Sequence, residues 1–319
     1  MVYSWEEIDL RRNMLLSNAL APNTVSTYRT GINHYRRFCA MYDLQALPLR
    51  EQYLELFVTH LHTTVGHDSI GVYLCGVQFW AKMHGDYTII AEMPRLEYVM
   101  MAIRRVQGNS FRRPPRTPIT WDMLNRICDH IDNTESAFDA AMLKAAVLLA
   151  FFGMLRVSEY TALSAHLNEH DTLAVQDVRI LWDRRVACIR INHSKTDPFR
   201  FGVTIRIAMI DHRLCPVRAL HAFITARGST PGPLFMFQNG MFLTRQRIVD
   251  LLHCSLPGVP NVNTHSFRRG GASALAAAGT PPEIIMILGR WKSNAFREYI
   301  TFSDSFLAAA SWSMIPKDN

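Results

Sequence analysis

Residues 107–120 read QGNSFRRPPRTPIT and set three prolines, a glycine and three arginines between two segments of helical periodicity. Proline lacks a backbone N–H and its ring clashes with the preceding turn, so no regular helix runs through such a stretch. The chain is therefore expected to divide into a domain at 1–106, a basic linker at 107–119 and a second domain at 120–319. Its 319 residues hold enough for two cores. With 49% hydrophobic and 19% charged residues, the composition excludes extended disorder.

The two sides of the break differ in pattern. Before it, amphipathic helices are expected at about 5–19, 22–42, 49–65, 68–84 and 97–106, with Pro22 and Pro94 at or near helix starts and no convincing strand. Val25, Tyr28, Ile32, Tyr35 and Phe38 share one face of the second helix, while Thr24, Thr27, Arg29 and Arg36 lie partly or wholly off it. That polar side is either solvated or a DNA contact. After the break, helices at about 120–132 and 135–152 precede RILWDRRVACIRINHSKTDPFRFGVTIRIAMI, whose two strand-like runs flank a polar turn and predict a β-hairpin. Helices resume at about 216–226. The fold class is mainly α with a small β-sheet.

Lys and Arg total 34 against 27 Asp and Glu, giving a net charge of +7 and favouring a polyanionic partner. The basic residues cluster at Arg104–Arg105 and in FRRPPR, residues 111–116. Six cysteines (39, 75, 128, 188, 215 and 254) are scattered without a CxxC pair, which suggests neither a zinc site nor a disulfide framework and fits a reducing compartment. The N-terminus is acidic where a secretory signal needs an apolar core, and the longest apolar run, Ala145 to Leu155, is too short for a bilayer. A soluble intracellular protein with no membrane partner is expected.

The chemistry-bearing residues fall in separate blocks. In FFGMLRVSEYTAL, residues 151–163, Arg156 follows a break at Gly153, and Glu159 comes three residues later, within reach of its guanidinium if 157–163 is helical. In THSFRRGG, His265 and Arg268 are three apart and share one side of a helix. In LGRWKSNAFREYI, Trp291 and Tyr299 lie among apolar residues. Taken singly, these are an ordinary surface ion pair, a structural histidine and a core tyrosine. Taken together they suit phosphoryl transfer, because two guanidiniums can hold the charge that develops on a phosphodiester under attack, an imidazole can move a proton and a phenolic oxygen can attack.

GMLRVSE, THSFRRG and LGRWKSNAFREYI, in this order, resemble the three motif blocks of the tyrosine recombinases, the phage-integrase family. GRWKS before the tyrosine is similar to recombinases of eukaryotic Crypton- and DIRS-type mobile elements. The resemblance covers nearly the whole chain, strongly in 120–302 and weakly in 1–106. It implies a two-domain clamp, with a helical core-binding domain and a mixed α+β catalytic domain. The catalytic residues it implies are Arg156, Lys195, His265, Arg268, Trp291 and Tyr299, with Glu159 and Arg290 in support. The His-x-x-Arg pattern selects Arg268 over Arg269. Lys195, on the hairpin, acts as general acid toward the departing 5′-hydroxyl, with His193, Arg190 and Arg200 as nearby alternatives. Tyr299 forms a 3′-phosphotyrosyl link, and neither metal nor cofactor is required.

The same resemblance implies a double-stranded DNA partner and a homotetramer on two paired sites, nuclear if the host is eukaryotic. The linker's Arg112, Arg113 and Arg116, which serve either solubility or a clamp on the phosphate backbone, and Thr24 and Arg29 of the second helix are the candidate DNA contacts. One departure stands out. The family carries His or Trp nine residues before the tyrosine, but here that residue is Arg290, with Trp291 one residue later. Either Trp291 fills the pocket through a one-residue shift or Arg290 supplies a hydrogen bond there. After Tyr299, Phe306, Leu307, Ala310 and Trp312 are expected on a short helix capped by Ser303 or Asp304, tucked into its own domain or passed to a neighbouring protomer. The competing readings are a type IB topoisomerase, a domesticated DNA-binding protein without strand cleavage, and a helical interaction protein whose motifs are accidental.

Overall fold

A computed structural model describes residues 3–111, 114–166, 172–194, 197, 199–229, 231–302 and 306–308. By its internal contacts the chain divides into Met1–Arg113 and Pro114–Asn319. The first unit is helical: α1 (Trp5–Ser17), α2 (Pro22–Met41), α3 (Glu51–Leu61), α4 (His67–Met83) and α5 (Pro94–Gln107). Proline opens both α2 and α5, where a missing N–H costs nothing. The last helix therefore begins at Pro94, not 97. Tyr35 and Phe38 of α2 join Leu54, Phe57, Ile70, Val77, Leu96 and Ile103 in one core, with Val25 left exposed at the end of the stripe. The first helix departs from the amphipathic expectation: Ser4 and Glu7 form a capping box at its start, yet it buries no residue.

The second unit begins with residues that the sequence assigns to the linker. Thr117 donates from its N–H to the Asn261 carbonyl at 3.3 Å, and Ile119, 1% exposed, donates to the Ser266 carbonyl at 3.0 Å. Two helices follow, α6 (Trp121–Thr134) and α7 (Ala137–Phe152), each opened by a hydroxyl cap, Thr120 on Met123 N–H and Ser136 on Asp139 N–H. Helix α7 is buried along most of its length and forms the axis of the core. One turn, α8 (Val157–Tyr160), comes next; it stops three residues short of the helix proposed for 157–163.

Strands β1 (Val178–Leu181), β2 (Val186–Ile191) and β3 (Val203–Ala208) form an antiparallel sheet in that order. The hairpin is the one expected, with Ala187 opposite Ile207 and Ile189 opposite Ile205; β1 is additional. The chain then runs through α9 (Pro216–Arg227), α10 (Arg245–Ser255), α11 (His265–Ala277), α12 (Pro282–Gly289) and a 3₁₀ segment, Asn294–Tyr299. Of the expected tail helix, 306–308 are helical, with Phe306 and Leu307 exposed; Ser303, Asp304, Ala310 and Trp312 lie outside the described residues. All six cysteines are free thiols. Among the described residues no helix is long and apolar enough to cross a membrane.

Helices α2 and α4 meet backbone to backbone in the first unit. A Cβ on Gly31 would lie 2.6 Å from Tyr73 Cα, closer than real side chains approach, whereas a Cβ on Gly71 of α4 meets open space. Gly31→Ala is therefore expected to lower the stability of this unit by about 1–3 kcal/mol, since the helices must separate. Gly71→Ala should raise it by about 0.5–1 kcal/mol through reduced chain entropy. Denaturant unfolding followed by circular dichroism checks both; equal effects of the two substitutions would contradict the crossing.

Candidate active site

The site forms where α7 ends. A helix C-terminus leaves carbonyls without intrahelical partners and carries partial negative charge, so it is a favourable place to bury cations. Arg268 and Arg290 use it. Arg268 donates from Nη1 to the Met154 carbonyl and from Nη2 to the Gly289 carbonyl at the end of α12. Arg290 donates to the Gly153 carbonyl at 3.0 Å and the Met154 carbonyl at 3.2 Å. Its left-handed backbone, φ 59°, closes α12 and turns the side chain inward.

Arg268 reaches these carbonyls because α11 lies against bare backbone. A Cβ on Gly270 would stand 2.2 Å from the Ile119 carbonyl oxygen, and one on Gly271 2.5 Å from that of Phe151. The pair of glycines after the two arginines is thus a packing requirement of this site. Arg268 is 1% exposed, and Trp291 covers it, with the guanidinium carbon 4.1 Å from the ring centroid. The Tyr299 ring lies 5.7 Å from the same carbon and 5.1 Å from the Trp291 ring.

Glu159 is buried among these cations. Its Oε1 accepts from Arg156 Nη1 at 3.0 Å, and its Oε2 accepts from Arg156 N–H at 2.9 Å and from Arg290 Nη2 at 2.8 Å. The ordinary surface ion pair is thereby excluded, because the Glu159 side chain is 1% exposed. Arg156 Nη1 also donates to Ser194 Oγ at 2.8 Å, which ties the turn that follows β2 to the pocket. Burial, then Arg156 and Arg290, push Arg268 down to about 9, so it remains a cation at neutral pH. Burial likewise lowers Arg290, against the opposing pull of Glu159.

His265 occupies the first turn of α11, one turn before Arg268, and is exposed toward solvent. Desolvation by the pocket wall lowers its pKa, with Arg268, Arg245, Arg156 and Arg116 adding to the effect. The neighbouring Arg269 turns away, donating to the Glu298 carbonyl and to Thr301 Oγ1, so it anchors the segment that carries Tyr299. Ser273 secures the same segment by accepting from Thr301 N–H at 2.8 Å.

Solved structures of several DNA recombinases share this arrangement of elements. The site-specific recombinase XerH bound to palindromic difH substrate matches with a TM-score of 0.63 at 16% identity, over 90% of this chain and 79% of that one. The Tn1549 transposon integrase in complex with circular intermediate DNA matches at 0.55 and 14%, over 92% and 99%. A lambda integrase dimer bound to a COC′ core site matches at 0.59 and 14%, over 92% and 75%. The chain has the tyrosine-recombinase fold. No protein-family model and no curated protein matches the sequence.

On this recombinase fold, Arg156, Glu159, His265, Arg268, Arg290, Trp291 and Tyr299 come together from three separate blocks of the second unit. Lys195 lies outside the described residues, as do Arg112 and Arg113; Arg116 is exposed. Thr24, half-buried, and the exposed Arg29 belong to α2 of the first unit. Sequence reasoning missed Ser194 and Arg245. The first adjoins Lys195 in NHSK and the second opens α10 behind a threonine cap, but neither position signals the pocket by itself. No cluster of His, Cys, Asp or Glu able to hold a metal is found among the described residues.

The depressed His265 makes a measurable expectation. Its imidazole should titrate below 6.5 in an NMR pH series, and Arg245→Gln should move the midpoint upward by removing one of the four cations. Because the folded pKa lies below the unfolded one, His265 withdraws stability as pH falls through the unfolded value near 6.5. A midpoint at or above 6.5 would contradict the described surroundings.

Proposed function

We propose that this chain is a site-specific DNA recombinase, cutting and rejoining duplex DNA through a covalent bond to Tyr299. The observation that carries this reading is the placement of the Tyr299 ring beside Arg268, within a pocket that also holds Arg156 and His265. Tyr299 Oη attacks the scissile phosphorus; a P–Oη bond forms as the P–O5′ bond breaks. The phenolic proton passes to a base, for which neutral His265 is the available acceptor, and Lys195 supplies a proton to the departing 5′-oxygen. One phosphodiester replaces another, so rejoining runs the same steps in reverse with no energy source. The COC′, difH and circular-intermediate complexes of the structural neighbours support specific duplex DNA as the substrate.

Arg156 offers the phosphate a partly exposed guanidinium, and its counter-ion Glu159 is already held. Trp291 covers Arg268, so direct engagement of the phosphate by Arg268 requires that ring to move aside. On this reading Trp291 takes the His/Trp place; its ring over Arg268 and the inward bonding of Arg290 support that choice. Arg112, Arg113, Arg116, Thr24 and Arg29 hold the flanking duplex through phosphate contacts. Four copies acting on two paired sites complete a strand exchange.

Duplexes selected from a random pool, each nicked just beyond the candidate phosphate so that the released fragment is lost, test the reaction. Wild-type protein should accumulate a denaturant-resistant protein–DNA adduct. Tyr299→Phe should bind the same duplex with unchanged affinity and form none, while Arg156→Ala slows adduct formation by roughly 10²–10³. Undiminished adduct from Tyr299→Phe would remove the nucleophile from this account.

A further inference from the structure

Arg290 stands where the sequence places a donor facing the substrate, yet its side chain is 8% exposed and makes four hydrogen bonds to the protein. It bonds the carboxylate that orients Arg156 and shares the Met154 carbonyl with Arg268. Among the described residues, both side-chain hydrogen bonds of Arg156 run through Nη1, leaving its Nε and Nη2 free of protein partners. A guanidinium facing a carboxylate prefers a two-pronged fork, and a carboxylate buried as deeply as Glu159 has no water to compete for it. Something must prevent the fork. Glu159 Oε2 is occupied by Arg290 Nη2 and by Arg156 N–H, which leaves only Oε1 for the Arg156 side chain.

We infer that Arg290 is a positioning residue: by occupying Glu159 Oε2 it keeps Arg156 from closing on the carboxylate as a fork, and so leaves a second guanidinium edge for the scissile phosphate. This rests on the recombinase reading above. The residue acts through Glu159 and does not touch the substrate. Without Arg290, the buried carboxylate has one cationic side-chain partner, and the stable response is to draw Arg156 inward.

The test compares Arg290→Met with the double variant Arg290→Met/Glu159→Gln, using adduct formation from fully bound complex, duplex affinity and the melting midpoint. Arg290→Met should leave affinity near wild type and slow adduct formation by about 100-fold, the size of effect expected from displacing a reacting group by an ångström. Adding Glu159→Gln should recover about tenfold of that loss, because a neutral amide cannot form the charge-assisted fork. A merely structural arginine predicts the opposite, with the second buried substitution adding damage. A double variant no faster than Arg290→Met, or Arg290→Met at the wild-type rate, overturns the inference.

If methionine does not fold, Arg290→Lys carries the test. An ammonium can still hold Glu159, so a rate near wild type supports the role and a folded variant slowed by about 100-fold refutes it. A readout independent of activity separates this inference from the function itself. Exchange of the Arg156 Nε–H with water, followed by ¹⁵N NMR, should slow in the single variant and return to the wild-type rate in the double. Absence of adduct from the wild type would count against the function, whereas unchanged exchange would count against the role of Arg290.

Discussion

Glu159 accepts three hydrogen bonds from two arginines while almost wholly buried, and the positions of the other charged groups in the pocket follow from it. Three guanidiniums gathered beneath one surface repel one another, and unit charges about 4 Å apart interact by about 4 kcal/mol at an effective dielectric of about 20. One carboxylate offsets part of that repulsion. The free carbonyls of Gly153, Met154 and Gly289, at the ends of α7 and α12, offset more. Burial lowers Arg268 and Arg290 all the same. A pocket with three guanidiniums against one carboxylate is suited to a group that brings negative charge, and a phosphodiester gains more of it during attack.

The same dependence explains the packing. Helix α7 can end in the core because arginine side chains satisfy the carbonyls of Gly153 and Met154 just past its end, and α11 can deliver Arg268 because Gly270 and Gly271 allow backbone contact with residues 119 and 151. Ile119, read as linker from the prolines around it, is drawn into this packing by its hydrogen bond to Ser266. The basic proline-rich stretch thus interrupts the helices as proline chemistry requires, while its last residues take part in the second core.

Much of this was legible in the sequence because it depends on local pattern. The β2–β3 hairpin follows from strict alternation at Val203, Ile205 and Ile207, and the starts of α2 and α5 follow from Pro22 and Pro94. The three blocks bearing Arg156, Arg268 and Tyr299 carry enough chemistry to be read together. What escaped depends on tertiary context. Strand β1 has four residues and no clean alternation; it is a strand because β2 offers it an edge. Helix α8 stops at Tyr160 as the chain leaves to pair Ala162 with Leu243. Spacing could not place the Arg290 and Trp291 side chains, because a left-handed residue turns the first under the pocket while the second lies over Arg268.

The pocket acquires its meaning from the oxygen it is proposed to activate. The most direct measurement is therefore the chemical address of the bond: an adduct trapped on a nicked duplex, digested with nuclease and trypsin, and sequenced by mass spectrometry. The account predicts a nucleotide remnant, attached through its 3′-phosphate, on Tyr299 in the peptide that begins at Glu298. A remnant carried by any other side chain, or attached through a 5′-phosphate, would contradict it.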